Sequence, residues 1–350
     1  MVATDIVTAS IPDLLRLVAV PALGWAAWRD IKTRRVPNQA WLPLLGVALL
    51  ALAVEVWQVW TGATVGYVNQ RAYFLRVMIS IGFVVPLAYG FWWIGGFGGA
   101  DAKALITLAV LFPTFPTYLF PDFALPVVVP TLGVFAMSVL SNTVVVGLFY
   151  PVALTLRNAA GGHVAKAMVI GRPVATERVT EEYGRLLQTP EGFTRRGLDL
   201  DALRMYLAWR GASFAEVRAD PDAFRDPASI PAETNPPGDG AITVTDGGRP
   251  TPEDDAAAGD PTVDTDDEDT PEATELTDPW GAEQFFEEIE GSAYGTTPEQ
   301  LREGLTVLTS DDEVWITPGI PFLVPMFLGL VLGLTYGDVL YAVIEGLGVF

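Results

Sequence analysis

The sequence predicts an all-α integral membrane protein with about six transmembrane helices and an acidic, partly disordered cytoplasmic insert before the last helix. Half of the 350 residues are hydrophobic and only 18% are charged. Apolar runs of the length that a helix needs to cross a bilayer recur along the chain. The acidity lies in one segment, because residues 157–317 hold 34 of the 42 Asp and Glu and 13 of the 21 Lys and Arg. We refer to this segment as the insert.

Five predicted spans precede the insert and one follows it. The first span starts after Ser10, with Asp13 three residues further on, which is a pattern typical of a helix N-cap. Residues 1–156 therefore form a predicted five-helix membrane domain, and residues 318–350 carry the C-terminal membrane helix. The six predicted spans are 11–28, 41–60, 75–94, 104–120, 126–156 and 318–336.

The insert is not uniform in composition. Residues 183–224 mix apolar and charged side chains, with leucines at helical spacing, which predicts a small folded subdomain. Residues 231–277 consist largely of Pro, Gly, Thr, Asp and Glu, which predicts disorder because so little apolar surface is available for burial. An excess of carboxylates on an aqueous segment is typical of proteins that stay hydrated in brine, so a halophilic source is expected.

Basic residues at the span ends predict the orientation in the membrane. Lys32, Arg34 and Arg35 follow the first span, and Lys103 stands at the start of the fourth. Because Lys and Arg near span ends favour the cytoplasm, these two loops and the insert are predicted to be cytoplasmic. The protein is then a multi-pass protein of the cell membrane. We interpret these four cations as topology anchors that support the neighbouring candidate site.

Two aspartates at the predicted cytoplasmic ends of spans are the candidate catalytic groups. Asp30 ends the first span and Asp101 begins the fourth. A carboxylate so close to the bilayer costs free energy, so its presence there indicates a function. Two carboxyl groups in contact do not readily ionise together, so one stays protonated while the other activates a water. Such a pair is a general acid and base for peptide hydrolysis. Which of the two is the base stays open.

Three glycines stand just before Asp101. Gly96, Gly98 and Gly99 allow close approach of another chain and backbone conformations that a side chain forbids. We therefore expect them to shape a loop or to bind an extended substrate strand beside the carboxyl pair. Two other aspartates, Asp122 and Asp338, fall near the opposite ends of the spans and are expected to be solvated.

The residue inventory excludes several chemistries. The chain has no Cys and one His, which excludes disulfides, thiol catalysis and a cysteine-ligated zinc ion. No metal and no other cofactor is expected. With a net charge of −21, the chain is not expected to bind nucleic acid.

The run from Asp30 to Pro37 and Asn38, together with Gly98-Gly99-Ala100-Asp101, resembles the type IV prepilin peptidase family of membrane aspartic proteases. The stretch 315–325 is similar to the archaeal preflagellin and prepilin peptidase branch. Ala100 departs from the family pattern, which often has glycine there.

The resemblance implies that Asp30 and Asp101 are the catalytic residues of an aspartic endopeptidase in the lipid bilayer. Its partners would be archaellin and type IV pilin-like precursors, from which it removes a short basic class III signal peptide on the cytoplasmic side. Bacterial relatives that also methylate the new N-terminus carry a cysteine-rich zinc region. No methyltransferase activity is expected here, since the chain has no Cys.

Two other functions fit the same composition. A proton-coupled carrier could use the two carboxylates as a relay, although such carriers often consist of related helical halves and the sequence shows no internal repeat. A non-catalytic membrane scaffold could recruit partners through the insert. The scaffold predicts that both aspartates can be replaced without loss of function.

Overall fold

The computed structural model describes residues 2–3, 8–62, 69–94, 96–242, 278–289, 293–319 and 321–348. Its contacts divide the chain into two compact units, Met1–Ala153 with Ile320–Phe350, and Leu154–Gly319. Within the described residues, four helices are long and apolar enough to cross a membrane: Ile11–Thr33, Asn38–Thr61, Gln70–Trp93 and Phe135–Ala160. The shorter apolar helix Leu323–Thr335 and the 13-residue helix Gly99–Leu111 also belong to the first unit. The predicted fold class is confirmed, with fewer full-length spans than six.

The first unit contains most of the apolar helices. Ser10 caps the first of them, since its hydroxyl accepts a hydrogen bond from the backbone N–H of Asp13 at 3.1 Å. A five-residue π-helical segment, Ser80–Val84, joins the fourth and fifth helices. The helices are α1 Ile11–Arg16, α2 Ala19–Thr33, α3 Trp41–Thr61, α4 Gln70–Ile79, α5 Val85–Trp93, α6 Gly99–Leu111, α7 Phe135–Ala160, α13 Leu323–Thr335 and α14 Val339–Gly346.

The segment between α6 and α7 differs from the prediction. The fourth span ends at Leu111 instead of residue 120, and the fifth begins at Phe135 instead of residue 126. Five prolines between these residues explain the difference, because proline lacks the N–H that a continuing helix needs. The segment instead forms β3 (Tyr118–Leu119) and β4 (Ala124–Leu125), which join β1 (Val2–Ala3) and β2 (Thr8–Ala9) in an antiparallel sheet.

Two glycines allow α13 to pack closely on α7. A Cβ at Gly329 would lie 2.8 Å from the backbone nitrogen of Thr143, and one at Gly333 would lie 3.0 Å from the ring of Phe135. On the outer surface large apolar side chains are exposed, among them Trp57 and Trp60 on α3. An exposed apolar surface of this kind suits lipid, so this unit is the membrane domain.

The second unit is a mixed fold around a three-stranded antiparallel sheet in the order β5 (Arg172–Ala175), β9 (Glu313–Pro318) and β6 (Gly184–Leu186). Its core includes Tyr206, Trp209 and Phe285, which are fully buried or nearly so. The remaining elements are the β7–β8 hairpin (Gln188–Thr189, Gly192–Phe193), α8 Leu200–Arg210, α9 Phe214–Ala219, α10 Pro221–Arg225, α11 Ala282–Glu288 and α12 Pro298–Ser310.

The folded part of the insert is larger than residues 183–224. It includes the strands at 172–175 and 313–318 and the helices after residue 278. Residues 231–242, which fall in the stretch predicted to be disordered, lie against α8, where the backbone N–H of Asn235 donates to the Trp209 carbonyl at 2.9 Å. The rest of that stretch, 243–277, lies outside the described residues.

Asp338 is buried, so the prediction that it is solvated is wrong. Its carboxylate accepts hydrogen bonds from the hydroxyls of Ser138 at 2.6 Å and Ser141 at 3.2 Å. It also caps α14 by accepting from the N–H of Tyr341 at 2.8 Å. The burial of a carboxylate is tolerated here because several donors satisfy it. Asp122 is exposed, as predicted.

Candidate active site

Asp30 lies in the last turn of α2. The helix ends directly after it, since Arg34 adopts a left-handed conformation with φ of 56° and donates its N–H to the Asp30 carbonyl at 3.1 Å. The backbone N–H of Leu323, the first residue of α13, also acts electrostatically on the Asp30 carboxylate. The positive charge of Arg34 acts on the same carboxylate. Two distant segments of the chain therefore position Asp30.

Asp101 lies in the first turn of α6. Gly98 is the N-cap of this helix, and its N–H donates to Oδ2 of Asp101 at 3.1 Å. The N–H of Ala102 donates in turn to the Gly98 carbonyl at 3.1 Å. This arrangement holds the carboxylate at the positive end of the helix dipole, which favours negative charge.

The structure brings the two aspartates together. The Asp30 carboxylate acts electrostatically on Asp101, and both side chains are half-buried. The C-terminal end of α2, the N-terminal end of α6 and the N-terminal end of α13 thus meet at one end of the helix bundle. Asp101 has a backbone N–H donor in Gly98, and the backbone N–H of Leu323 acts electrostatically on Asp30.

The glycine loop before Asp101 is fixed by an aromatic stack. The ring of Phe97 lies 5.0 Å from that of Phe91 on α5 and 4.9 Å from that of Phe322 (distances between ring centroids). Gly96 donates its N–H to the Phe91 carbonyl at 2.7 Å, and a Cβ on Gly96 would come within 3.1 Å of the same residue. A side chain at position 96 would require the Phe91 ring to shift.

The other two glycines differ from each other. A Cβ on Gly98 would meet the Asp101 carboxylate at 3.0 Å, whereas the nearest atom to one on Gly99 is 3.9 Å away, on Trp92. Close packing against the catalytic candidate thus explains Gly98. No contact of this kind explains Gly99.

The predicted supporting cations have different surroundings. Lys32 places its ammonium 5.3 Å from the ring centre of Trp28. The backbone carbonyl of Arg35 accepts from Nε of Arg29 at 3.1 Å. Lys103 donates to Oδ1 of Asn38, which ties α6 to the segment that follows Asp30. Of the four, Arg34 is the one whose charge acts on the carboxyl pair.

The sequence analysis did not identify Leu323, because a backbone N–H leaves no signature in side-chain type. Its only signal was the resemblance of the stretch 315–325 to the archaeal branch. Asn38 was quoted in the motif without a role, and the structure gives it one as the acceptor for Lys103.

A second charged cluster lies at the opposite end of the same helices. Arg16 is fully buried and pairs with Asp13 and with Glu55 of α3, each at 2.6 Å. Its Nε donates to the Leu111 carbonyl at 2.8 Å, and Thr114 donates to Glu55 at 3.2 Å. This network links α1, α3 and the end of α6. The sequence analysis missed it, although a charge inside each of the first two predicted spans was the available signal.

A bundle of membrane helices that holds two interacting carboxyl groups at one end is the arrangement expected of a membrane aspartic peptidase. The model of the type IV leader peptidase family matches residues 17–152. The model of the archaeal peptidase A24 C-terminus, type II, matches residues 272–339. A search of curated proteins finds no match.

The chain belongs to the type IV leader peptidase family, in its archaeal branch. The resemblance inferred from the motifs is confirmed. The protein is therefore a multi-pass membrane protein and an aspartic peptidase of the type that cleaves prepilin leader peptides. Both matched regions carry parts of the candidate site, since the first contains the two aspartates and the second contains Leu323.

Proposed function

We propose that this peptidase removes the class III signal peptide from archaellin and type IV pilin-like precursors, with Asp30 and Asp101 as the catalytic pair. The observation that carries the proposal is the interaction of these two carboxyl groups at one end of the bundle, where the Gly98 N–H donates to Asp101 and the Leu323 N–H acts on Asp30. The family match supports a leader peptide as the substrate class.

The reaction needs one ionised and one protonated carboxyl group. The ionised group takes a proton from a water molecule, and the water oxygen attacks the scissile carbonyl carbon. The protonated partner donates a hydrogen bond to the oxygen on which negative charge develops. Collapse of the tetrahedral intermediate breaks the C–N bond, and the leaving nitrogen receives a proton from the pair. Because the two groups exchange one proton, they act as a unit.

In this proposal the end of the bundle that carries the two carboxyl groups lies at the cytoplasmic side of the cell membrane. Arg29 lies 5.7 Å from the ring centre of Trp25, and Lys32 lies 5.3 Å from that of Trp28. Both rings are exposed. Exposed tryptophans with neighbouring cations are typical of a membrane interface, and an excess of cations marks its cytoplasmic side.

The test is cleavage of a tagged archaellin or pilin precursor in membranes of cells that lack the native enzyme. We expect the unchanged protein to shorten the precursor and both Asp30→Asn and Asp101→Asn to leave it intact. Asp122→Asn is the matched control, because it makes the same chemical change at an exposed aspartate outside the pair. Each variant has to accumulate in the membrane to the same level.

Retained cleavage in either Asp30→Asn or Asp101→Asn would show that the two-carboxylate mechanism is wrong. If the unchanged protein left all such precursors intact, the proposed substrate would be wrong. The orientation is tested separately by labelling a single cysteine placed at Gln39, which the proposal expects to react from the cytoplasmic side only.

A further inference from the structure

A groove lies between the start of α3 and the middle of α6, near the candidate site. Its volume is about 350 Å³. Both helices start at the end of the bundle where Asp101 lies, so the groove runs from that end along the helices for about one turn, or roughly 6 Å. Neither Asp30 nor Asp101 lines it. Its lining residues are Asn38, Gln39, Trp41, Leu42, Leu45, Lys103, Ile106 and Thr107.

The rim of the groove carries a positive charge and hydrogen-bond donors. The Lys103 ammonium has three N–H groups, and its one recorded partner in the described part of the chain is the amide oxygen of Asn38. Trp41 also lines the groove, but its indole N–H, which has no acceptor among the described residues, is buried from solvent and is not one of the rim donors. The Thr107 hydroxyl already donates to the Lys103 carbonyl at 2.7 Å. A ligand that fits this rim has acceptors and a negative charge.

The rest of the groove is apolar. Leu42 is 65% exposed, and Leu45 and Ile106 are partly buried. These side chains lie on the part of the membrane domain that is open to lipid. A free inorganic anion would leave this surface uncovered, whereas a molecule with an anionic head and an apolar tail would satisfy both parts of the groove.

We propose that this groove binds an anionic membrane lipid, with its phosphate on Lys103 and one apolar chain along Leu42, Leu45 and Ile106. The proposed function adds one supporting argument, because the leader of the precursor is basic and Lys103 repels it. Lys103 follows Asp101 by two residues and bonds to Asn38, in the segment after Asp30. A lipid bound here therefore stabilises the link between the two segments that carry the carboxyl pair.

The test measures lipid binding directly, without reference to cleavage. The delipidated full-length protein is titrated with phosphatidylglycerol, phosphatidylcholine or inorganic phosphate, and the bound lipid is counted by native mass spectrometry. We expect a preference of about tenfold for phosphatidylglycerol, equivalent to ~1.4 kcal/mol. We expect phosphate neither to bind nor to compete. Lys103→Gln should abolish the preference.

Leu45→Trp fills the apolar part of the groove and should lower the binding of phosphatidylglycerol. Leu49→Trp is its matched control, since Leu49 is exposed one turn further along α3 and does not line the groove. The inactive variant Asp30→Asn should keep the lipid preference, so the proposal can stand even if the proposed function fails.

Three results would each overturn the lipid site. The first is equal binding of the two lipids by the unchanged protein. The second is a lipid preference that survives in Lys103→Gln, or equal binding of phosphatidylglycerol by Leu45→Trp and Leu49→Trp. The third is displacement of phosphatidylglycerol by phosphate alone or by the precursor, which would assign the groove to a free anion or to the substrate.

Discussion

At the scale of single residues, the energetics of the membrane domain depend on Arg16. Its guanidinium is fully buried, and it is bound by Asp13, Glu55 and the Leu111 carbonyl. A buried ion pair gives little net stability, but the removal of one partner leaves the other charges unpaired in a medium of low polarity. The loss of Arg16 is therefore expected to cost more free energy of unfolding than its ion pairs contribute.

Arg16→Met should lower the free energy of unfolding of the membrane domain by about 3–5 kcal/mol, because Asp13 and Glu55 then lack their counter-charge. Thermal unfolding of the purified protein in detergent measures this. The double variant Arg16→Met/Glu55→Gln should recover part of the loss. Arg71→Met, at an exposed arginine of α4, is the control and should have little effect. Equal melting temperatures for Arg16→Met and Arg71→Met would contradict the assignment.

Single residues also show how much of the candidate site can be predicted from the type of side chain. Asp30 and Asp101 could be singled out from the sequence because a carboxylate at the end of an apolar run needs a reason. Gly96 and Gly98 could be identified as loop residues because glycine allows backbone conformations that other residues do not. Leu323 could not be identified in this way, since any residue other than proline would offer the same backbone N–H. Asp338 was misplaced because its donors, Ser138 and Ser141, are about 200 positions away.

At the scale of elements, the position of α13 depends on two glycines that face α7. The backbone of Thr143 and Val139 lies within 3.0 Å of where a side chain on Gly329 would begin. A Cβ at Gly329 would therefore collide with backbone atoms of α7, and no change of side-chain rotamer could relieve this collision. Because α13 begins with Leu323, whose N–H acts on Asp30, we expect the packing of this helix to influence the geometry of the candidate site.

Gly329→Ala should move α13 away from α7, destabilise the membrane domain by roughly 1–3 kcal/mol and reduce precursor cleavage. Gly46→Ala is the matched control, because a Cβ at Gly46 on α3 would meet no atom within 4 Å. Melting temperature and cleavage rate should be measured on both variants. Normal melting and cleavage in Gly329→Ala would show that α13 tolerates the displacement.

The elements also show why the boundaries of the spans were predicted less well than their existence. Apolar runs continue across residues 112–134, so hydropathy alone joins this segment to its neighbours. The prolines within it decide the outcome, because they interrupt the backbone hydrogen bonds of a helix. The sheet of the insert was not predicted, since β5 pairs with β9 across about 140 positions and such pairings have no local signal.

At the scale of the whole molecule, the chain separates a neutral membrane domain from an acidic insert. The charge distribution along the sequence was sufficient to predict this separation, because lipid excludes unpaired charge and water does not. The extent of folding within the insert was not predictable from composition. Three Pro and two Gly stand among residues 231–242, yet this stretch is held to α8 by hydrogen bonds from Asn235 and from Arg204, which donates to the Gly240 carbonyl.

Replacing residues 243–277 with a short Gly-Ser linker should leave precursor cleavage unchanged over a range of salt concentrations. Replacing 231–277 should make the insert more sensitive to limited proteolysis, because it also removes the hydrogen bonds that Asn235 and Gly240 make to α8. Cleavage that slows at low salt after the shorter replacement would instead show that the acidic tract attracts the basic leader.

The interaction of the Leu323 N–H with the Asp30 carboxylate has a consequence for biosynthesis. Nearly 300 residues separate the two partners, so a ribosome adds that many residues to the nascent chain after Asp30 before Leu323 is made. A nascent chain that already contains both aspartates still lacks the group that holds one of them. A nascent chain therefore gains this part of the candidate site only when the start of α13 has been made.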